Sequence, residues 1–153
     1  MTYRWGSGPR VVLLVHGWRS RASRFSALVA ALKSPELTIV AFDAPANGDS
    51  PGRLVTILDY AAAIDALARR HGPIDTIVAH SFGVLATFVA VRGGVPAGRV
   101  VGISGMADAE QLVEKFGSLA GLGGRALQGM RRRIERRTFP EVPDPWGRFV
   151  ARL

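Results

Sequence analysis

The stretch Val78-Ala79-His80-Ser81-Phe82-Gly83 decides how this chain folds. An apolar run stops there on a serine set among small residues, and a helix-like pattern begins at once. Such a stretch spells a strand that turns sharply into a helix. A serine at the apex of that turn stands beyond the end of the sheet. The first amide of the new helix, that of Phe82, then points toward any oxygen carrying developing negative charge. Backbone packs on backbone at the bend, so the residue two before the serine and the one two after it must be small, as Ala79 and Gly83 are.

Upstream, the same alternation repeats. Val11-Val12-Leu13-Leu14-Val15 is a continuous β-prone run, the mark of a strand buried on both faces, and His16-Gly17-Trp18 follows it directly. From Ser23, read as an N-cap, Phe25, Leu28, Val29 and Leu32 recur at helical spacing until Pro35. Leu37 to Phe42 is a second buried strand. It runs into Asp43-Ala44-Pro45-Ala46-Asn47-Gly48-Asp49-Ser50-Pro51-Gly52, which is loop by composition. Thr56, with Asp59 three residues on, opens a helix whose inner face is Ile57, Tyr60, Ala61, Ile64 and Leu67, and Arg69, Arg70 and His71 fill its last turn.

Ile74 to His80 is the third buried strand. Val84 to Val91 is a helix apolar nearly all round, and Arg99 to Ser104 is the last clear strand. Strands alternating with helices in this way imply right-handed crossovers and a parallel central sheet with helices on both faces, an α/β class. Residues 1–105 form this core. After Gly105 the character changes: residues 106–153 read as a helix over Asp108 to Phe116, a glycine-rich break from Gly117 to Gly124, and a basic helix over Arg125 to Arg137. A tail, Phe139 to Trp146, carries too many prolines to be a central strand.

Composition narrows the function classes. With 153 residues the chain is long enough to bury a core, and its longest apolar runs fall short of the ~20 residues of a membrane span. The start of the chain shows no signal-peptide core, so no membrane association and a cytoplasmic location are expected. Cysteine is absent, which removes disulfides, thiolate catalysis and cysteine-bound metal; no cofactor or metal is implied. The net charge of +8 is concentrated in Arg131 to Arg137. Such a run fits a nucleic-acid or anionic surface, or the solvated face of a helix. The second reading is preferred, because no aromatic or glycine pattern for base stacking accompanies the arginines.

Three stretches in one order, H-G-W at 16–18, D-A-P-A-N-G-D-S at 43–50 and A-H-S-F-G at 79–83, resemble the α/β-hydrolase fold family of esterase-like serine hydrolases. Ala46 and Ala79 stand where that family usually has glycine. The resemblance covers about Tyr3 to Ser104. It implies a partial α/β-hydrolase fold followed by a helical cap segment, with Ser81 as nucleophile and the backbone N–H groups of Trp18 and Phe82 as the oxyanion hole. The implied partner is a small-molecule acyl substrate, a carboxylic ester or related compound. Trp18, Phe82, Phe116 and Leu119 hint at an uncharged acyl group, a pattern core packing explains equally well.

A serine nucleophile needs a base. His80 adjoins Ser81, but neighbouring strand residues point to opposite faces, so a structural role is expected of it. His16 matches the family's H-G histidine, whose ring supports its loop through backbone hydrogen bonds, and His71 is expected to complement a helix dipole. In the family the order is Ser, acid, His, and this chain has no histidine after Ser81. Asp108 is a candidate acid without an imidazole to orient. The resemblance therefore implies a fragment lacking N-terminal strands and the C-terminal acid and histidine, with little or no turnover of its own. A non-catalytic binding protein on the same fold, and a basic nucleic-acid binder through Arg131 to Arg137, are the alternatives.

Overall fold

The computed structural model describes residues 1–105, 108–141 and Trp146. Two compact units divide at Gly105 and Met106. In the first, five strands, β1 (Thr2–Trp5), β2 (Arg10–Val15), β3 (Leu37–Phe42), β4 (Ile74–His80) and β5 (Ala97–Ile103), form one sheet in the order β1-β3-β2-β4-β5. β1 runs antiparallel to β3; the other pairings are parallel. Three helices complete the unit: α1 (Ser26–Leu32), α2 (Ile57–His71) and α3 (Phe82–Arg92).

Leu13, Leu14, Val15, Val40, Ala41, Ile77 and Ala79 are fully buried, as the unbroken apolar runs require. Each buried leucine contributes about 1.5–3 kcal/mol relative to exposure. Alternation sorts these side chains between two faces. On one, Val12, Leu14, Ile39, Ala41 and Val78 pack against Phe25, Leu28, Val29 and Leu32. On the other, Phe42 meets Tyr60 of α2, and Val15 lies under Gly83 of α3. β2 therefore feeds a helix on one face while its neighbour β4 feeds a helix on the other. Open α/β sheets bind ligands in the crevice at such a switch point, which here falls between the C-terminal ends of β2 and β4.

α2 is framed as its sequence spelled out. Thr56 Oγ1 accepts from Asp59 N–H and the Asp59 carboxylate accepts from Thr56 N–H, a reciprocal capping box. Three expectations change. Ser23 does not cap: a 3-10 turn over Ala22–Phe25 precedes α1, whose N-cap residue is Phe25, because Ala22 N–H is drawn to the Asp43 carboxylate instead. His71 sits in the last turn of α2, but desolvation, with Arg70 and Arg4 nearby, lowers its pKa from the usual value, which weakens its share in complementing the dipole. The glycine-rich break is shorter than expected, since it covers only residues 120–123 between two helices.

β5 is paired to β4 on one side, and its Val101 and Ile103 are 43% and 42% exposed. In the second unit, α4 (Ala109–Leu119) is capped by Asp108, whose carboxylate accepts from Gln111 N–H at 2.6 Å. Gly117 lies inside α4, and a Cβ there would sit 2.5 Å from a Leu127 methyl of α5 (Gly124–Thr138), so the close approach favours glycine at that position. Arg131 does not belong to a free basic face: it pairs with Glu110 at 2.6 Å and lies 5.1 Å from the centroid of the Trp146 ring. Arg132, Arg133, Arg136 and Arg137 are exposed. Of the proline-rich tail, residues 142–145 lie outside the described residues. Among the described residues no helix is long and apolar enough to cross a membrane.

Candidate active site

Ser81 sits between the last residue of β4 and the first of α3 with φ 53° and ψ −123°. A side chain rarely adopts this backbone region, which costs on the order of 1–3 kcal/mol and persists only where the surroundings impose it. Here they do. Ser81 N–H donates to the carbonyl of Ile103 at 2.9 Å, and the Ser81 carbonyl accepts from Val84 N–H at 3.0 Å. Gly83 lies against β2, where a Cβ would come within 2.6 Å of the carbonyl oxygens of Val15 and His16. Ala79 is fully buried. The small-residue requirement read from the sequence is thus a contact between two backbones.

The H-G-W stretch meets Ser81 across the crevice. A Cβ on Gly17 would fall 3.1 Å from Ser81 Cβ and 3.3 Å from His80 Nδ1, so the Gly17 backbone lies directly against the serine turn. The Trp18 amide follows on that backbone. Phe82 is the first residue of α3, so its N–H has no partner within the helix.

His16 is 1% exposed and both of its ring nitrogens are engaged. Nε2 receives the N–H of Ala44 at 3.0 Å, which makes it the unprotonated nitrogen; the proton is therefore on Nδ1, which donates to the Gly17 carbonyl at 2.7 Å. Burial pushes the pKa of the ring below its usual value, against the smaller opposing effects of the Gly17 hydrogen bond and the Asp43 charge. A neutral, doubly bonded ring ties the β2 loop to the β3 loop, the supporting role expected of it. Among the described residues no hydrogen bond joins Ser81 Oγ to His16 or His80.

The β3 loop is held by Asp43. Its carboxylate accepts from Ala22 N–H at 2.7 Å, Asp49 N–H at 2.8 Å and Tyr3 Oη at 3.0 Å. Burial alone would raise its pKa, but these bonds, with His16 nearby, bring it below the usual carboxylate range. Gly48, at φ 54°, packs so closely that a Cβ would strike the carboxylate. Ala46 has φ 58°, the left-handed conformation that explains why glycine is usual at its position.

The sequence profile of the Alpha/beta hydrolase family matches residues 12–153. This chain belongs to that family. Solved structures agree on the fold: a monoacylglycerol lipase from Paleococcus ferrophilus is 24% identical, with a TM-score of 0.63 over 76% of this chain and 50% of its own. A carboxylesterase structure from Nitrososphaera gargenis is 16% identical, with a TM-score of 0.65 over 99% of this chain and 61% of its own. A lipase-esterase related protein from Clostridium acetobutylicum is 18% identical, with a TM-score of 0.62 over 99% and 67%. The chain thus spans about half to two-thirds of the length of these structures. No curated protein sequence matches it.

Sequence reasoning singled out Ser81, Trp18, Phe82 and His16, and the fold brings their backbones to one crevice. It missed Tyr60, taken only as part of an inner helix face. The available signal was a phenol in an otherwise aliphatic stripe, since a buried tyrosine hydroxyl needs a partner. Phe116 and Leu119 belong to the second unit, where Leu119 is 81% exposed, so core packing does not account for it. Asp108 is spent on capping α4. Two cavities of about 340 and 250 Å³, both bordered by Trp5, lie away from Ser81 on the α1 face of the sheet.

Proposed function

We propose that Ser81 is the nucleophile of a serine hydrolase acting on a carboxylic ester or related acyl compound. Its oxygen adds to the substrate carbonyl, and the carbonyl oxygen takes up the negative charge between the N–H groups of Trp18 and Phe82. The tetrahedral species then expels the alkoxide, which leaves as the alcohol with the proton that Ser81 gave up to a base, and water releases the acyl group left on Ser81 as the acid. Two fixed amides are worth several kcal/mol to such an oxyanion, since removing one donor from a comparable site costs about 3–4 kcal/mol. The observation that carries this reading is the Ser81 backbone itself. A serine held at φ 53° and ψ −123° in a strand-to-helix bend against the Gly17 backbone has the geometry that presents a hydroxyl at the end of the sheet.

Nothing among the described residues takes the proton from Ser81. His16 is closed off by two backbone bonds, and no histidine follows Ser81 in the chain. We therefore expect the chain alone to show only the residual acceleration of hole and binding, on the order of 10³–10⁴ over water. The same absence favours a second reading, a non-catalytic protein that binds an acyl ligand in this crevice. Both are tested with p-nitrophenyl butyrate and added imidazole as a surrogate base. A saturable, imidazole-dependent acylation of Ser81, seen by intact mass and lost in Ser81→Ala, supports the hydrolase. An unmodified protein that still binds the ester supports the second reading, and neither adduct nor binding sinks both.

A further inference from the structure

Tyr60 is fully buried in the first turn of α2, yet it touches both halves of the crevice. Its hydroxyl donates to the carbonyl of Gly17 at 3.1 Å, and the edge of its ring stands against Phe82 with centroids 5.3 Å apart at 82°. The Gly17 carbonyl is crowded. It also accepts from His16 Nδ1–H at 2.7 Å and from Ser20 N–H at 3.3 Å, so three donors share an oxygen with two lone pairs. Because His16 Nδ1 already carries a proton, the phenol must direct its own proton to that oxygen, although Nδ1 also lies 3.1 Å away.

This carbonyl belongs to the same peptide unit as the Trp18 N–H. The unit is planar and trans, so C=O and N–H point to opposite sides and fixing one fixes the other. Donors on the oxygen draw charge along the amide and make the N–H a stronger donor, by about 10–30% per bond. We propose that Tyr60 is a positioning residue of the oxyanion hole: it locks and polarises the Gly17–Trp18 peptide while its ring sets the place of Phe82. The proposal rests on the assignment of Ser81 as nucleophile with Trp18 and Phe82 as donors, and adds the residue that couples the two donors to the α2 core. It predicts that deleting one oxygen atom, outside contact with substrate, weakens binding of a tetrahedral oxyanion mimic.

The test compares wild type with Tyr60→Phe by the Trp18 amide signal in ¹⁵N–¹H spectra and by titration with butylboronic acid, which forms a tetrahedral adduct on a serine oxygen. In Tyr60→Phe the Trp18 amide should shift upfield in ¹⁵N, and boronate affinity should fall about three- to tenfold. Replacing both tyrosines with the more acidic 3-fluorotyrosine should move the two readouts the opposite way, and it serves as the test should Tyr60→Phe not fold. Equal boronate affinity in the two proteins, whether or not the amide moves, overturns the role of Tyr60 and leaves Ser81 standing. No boronate adduct on wild type, with imidazole present to take the serine proton, sinks the Ser81 assignment instead. In that case a Trp18 amide that still responds retains the Tyr60 lock on the peptide, and an unmoved one overturns it.

Discussion

Replacing Ser81 with glycine should make the sheet unit more stable while removing the nucleophile. At φ 53° and ψ −123° the Cβ of residue 81 is held in a region open essentially to glycine, a strain of about 1–3 kcal/mol. Ser81→Ala keeps the Cβ and loses only the hydroxyl, so the informative comparison is glycine against alanine. Glycine relieves the strain but gives the unfolded chain more freedom, which costs about 0.4–1 kcal/mol. The net expectation is a gain of about 0.5–2 kcal/mol for Ser81→Gly over Ser81→Ala. With urea slopes of about 1–3 kcal/mol per molar, the midpoint should rise by roughly 0.2–2 M. Emission from Trp5 and Trp18, both in the sheet unit, reports the transition once Trp146 is replaced by phenylalanine. The bonds from Ser81 N–H to Ile103 and from Val84 N–H to Ser81 are backbone bonds and survive in both variants. If glycine is no more stable than alanine, no strain is stored at the bend, and the structural reason for placing the nucleophile there falls.

Ala46→Gly should stabilise the protein by up to about 1 kcal/mol, since Ala46 is held at φ 58°; an unchanged or lower melting temperature would show that the β3 loop is not strained there. Gly83→Ala should cost about 1–3 kcal/mol or more, because its Cβ meets two carbonyl oxygens at 2.6 Å; a neutral result in a urea melt would mean that α3 lies farther from β2. Acid should weaken the fold in two steps. His16 has a folded pKa below its unfolded value near 6.5, so its contribution is complete above that pH and declines as pH falls toward the folded pKa, where the unfolded chain takes up a proton that the buried ring refuses. Asp43, also depressed, adds a second loss below about pH 3.9. Melting His16→Gln and His71→Gln from pH 5 to 8 separates the first step from His71, whose pKa is lowered too; a slope that persists in His16→Gln and vanishes in His71→Gln would refute the assignment.

What the sequence by itself determined was local. Unbroken β-prone runs placed β2, β3 and β4, helical spacing placed α2, and the Thr56–Asp59 pair named a capping box, because these depend on neighbours one to four residues apart. The serine turn was legible for the same reason, as small residues flank it. Tertiary structure decided the rest. The strain at Ser81 and Ala46 is imposed by packing, not by composition. The neutral state and tautomer of His16 follow from an amide 28 residues away. Tyr60 reaches Gly17 across 43 residues only because β4 pairs with β2 instead of β3, which brings α2 and α3 together over the crevice. Ser23 lost its role as a cap to a carboxylate from the loop after β3. Sequence order does not encode strand order directly, so contacts that depend on which strands are neighbours appear only once the sheet is assembled.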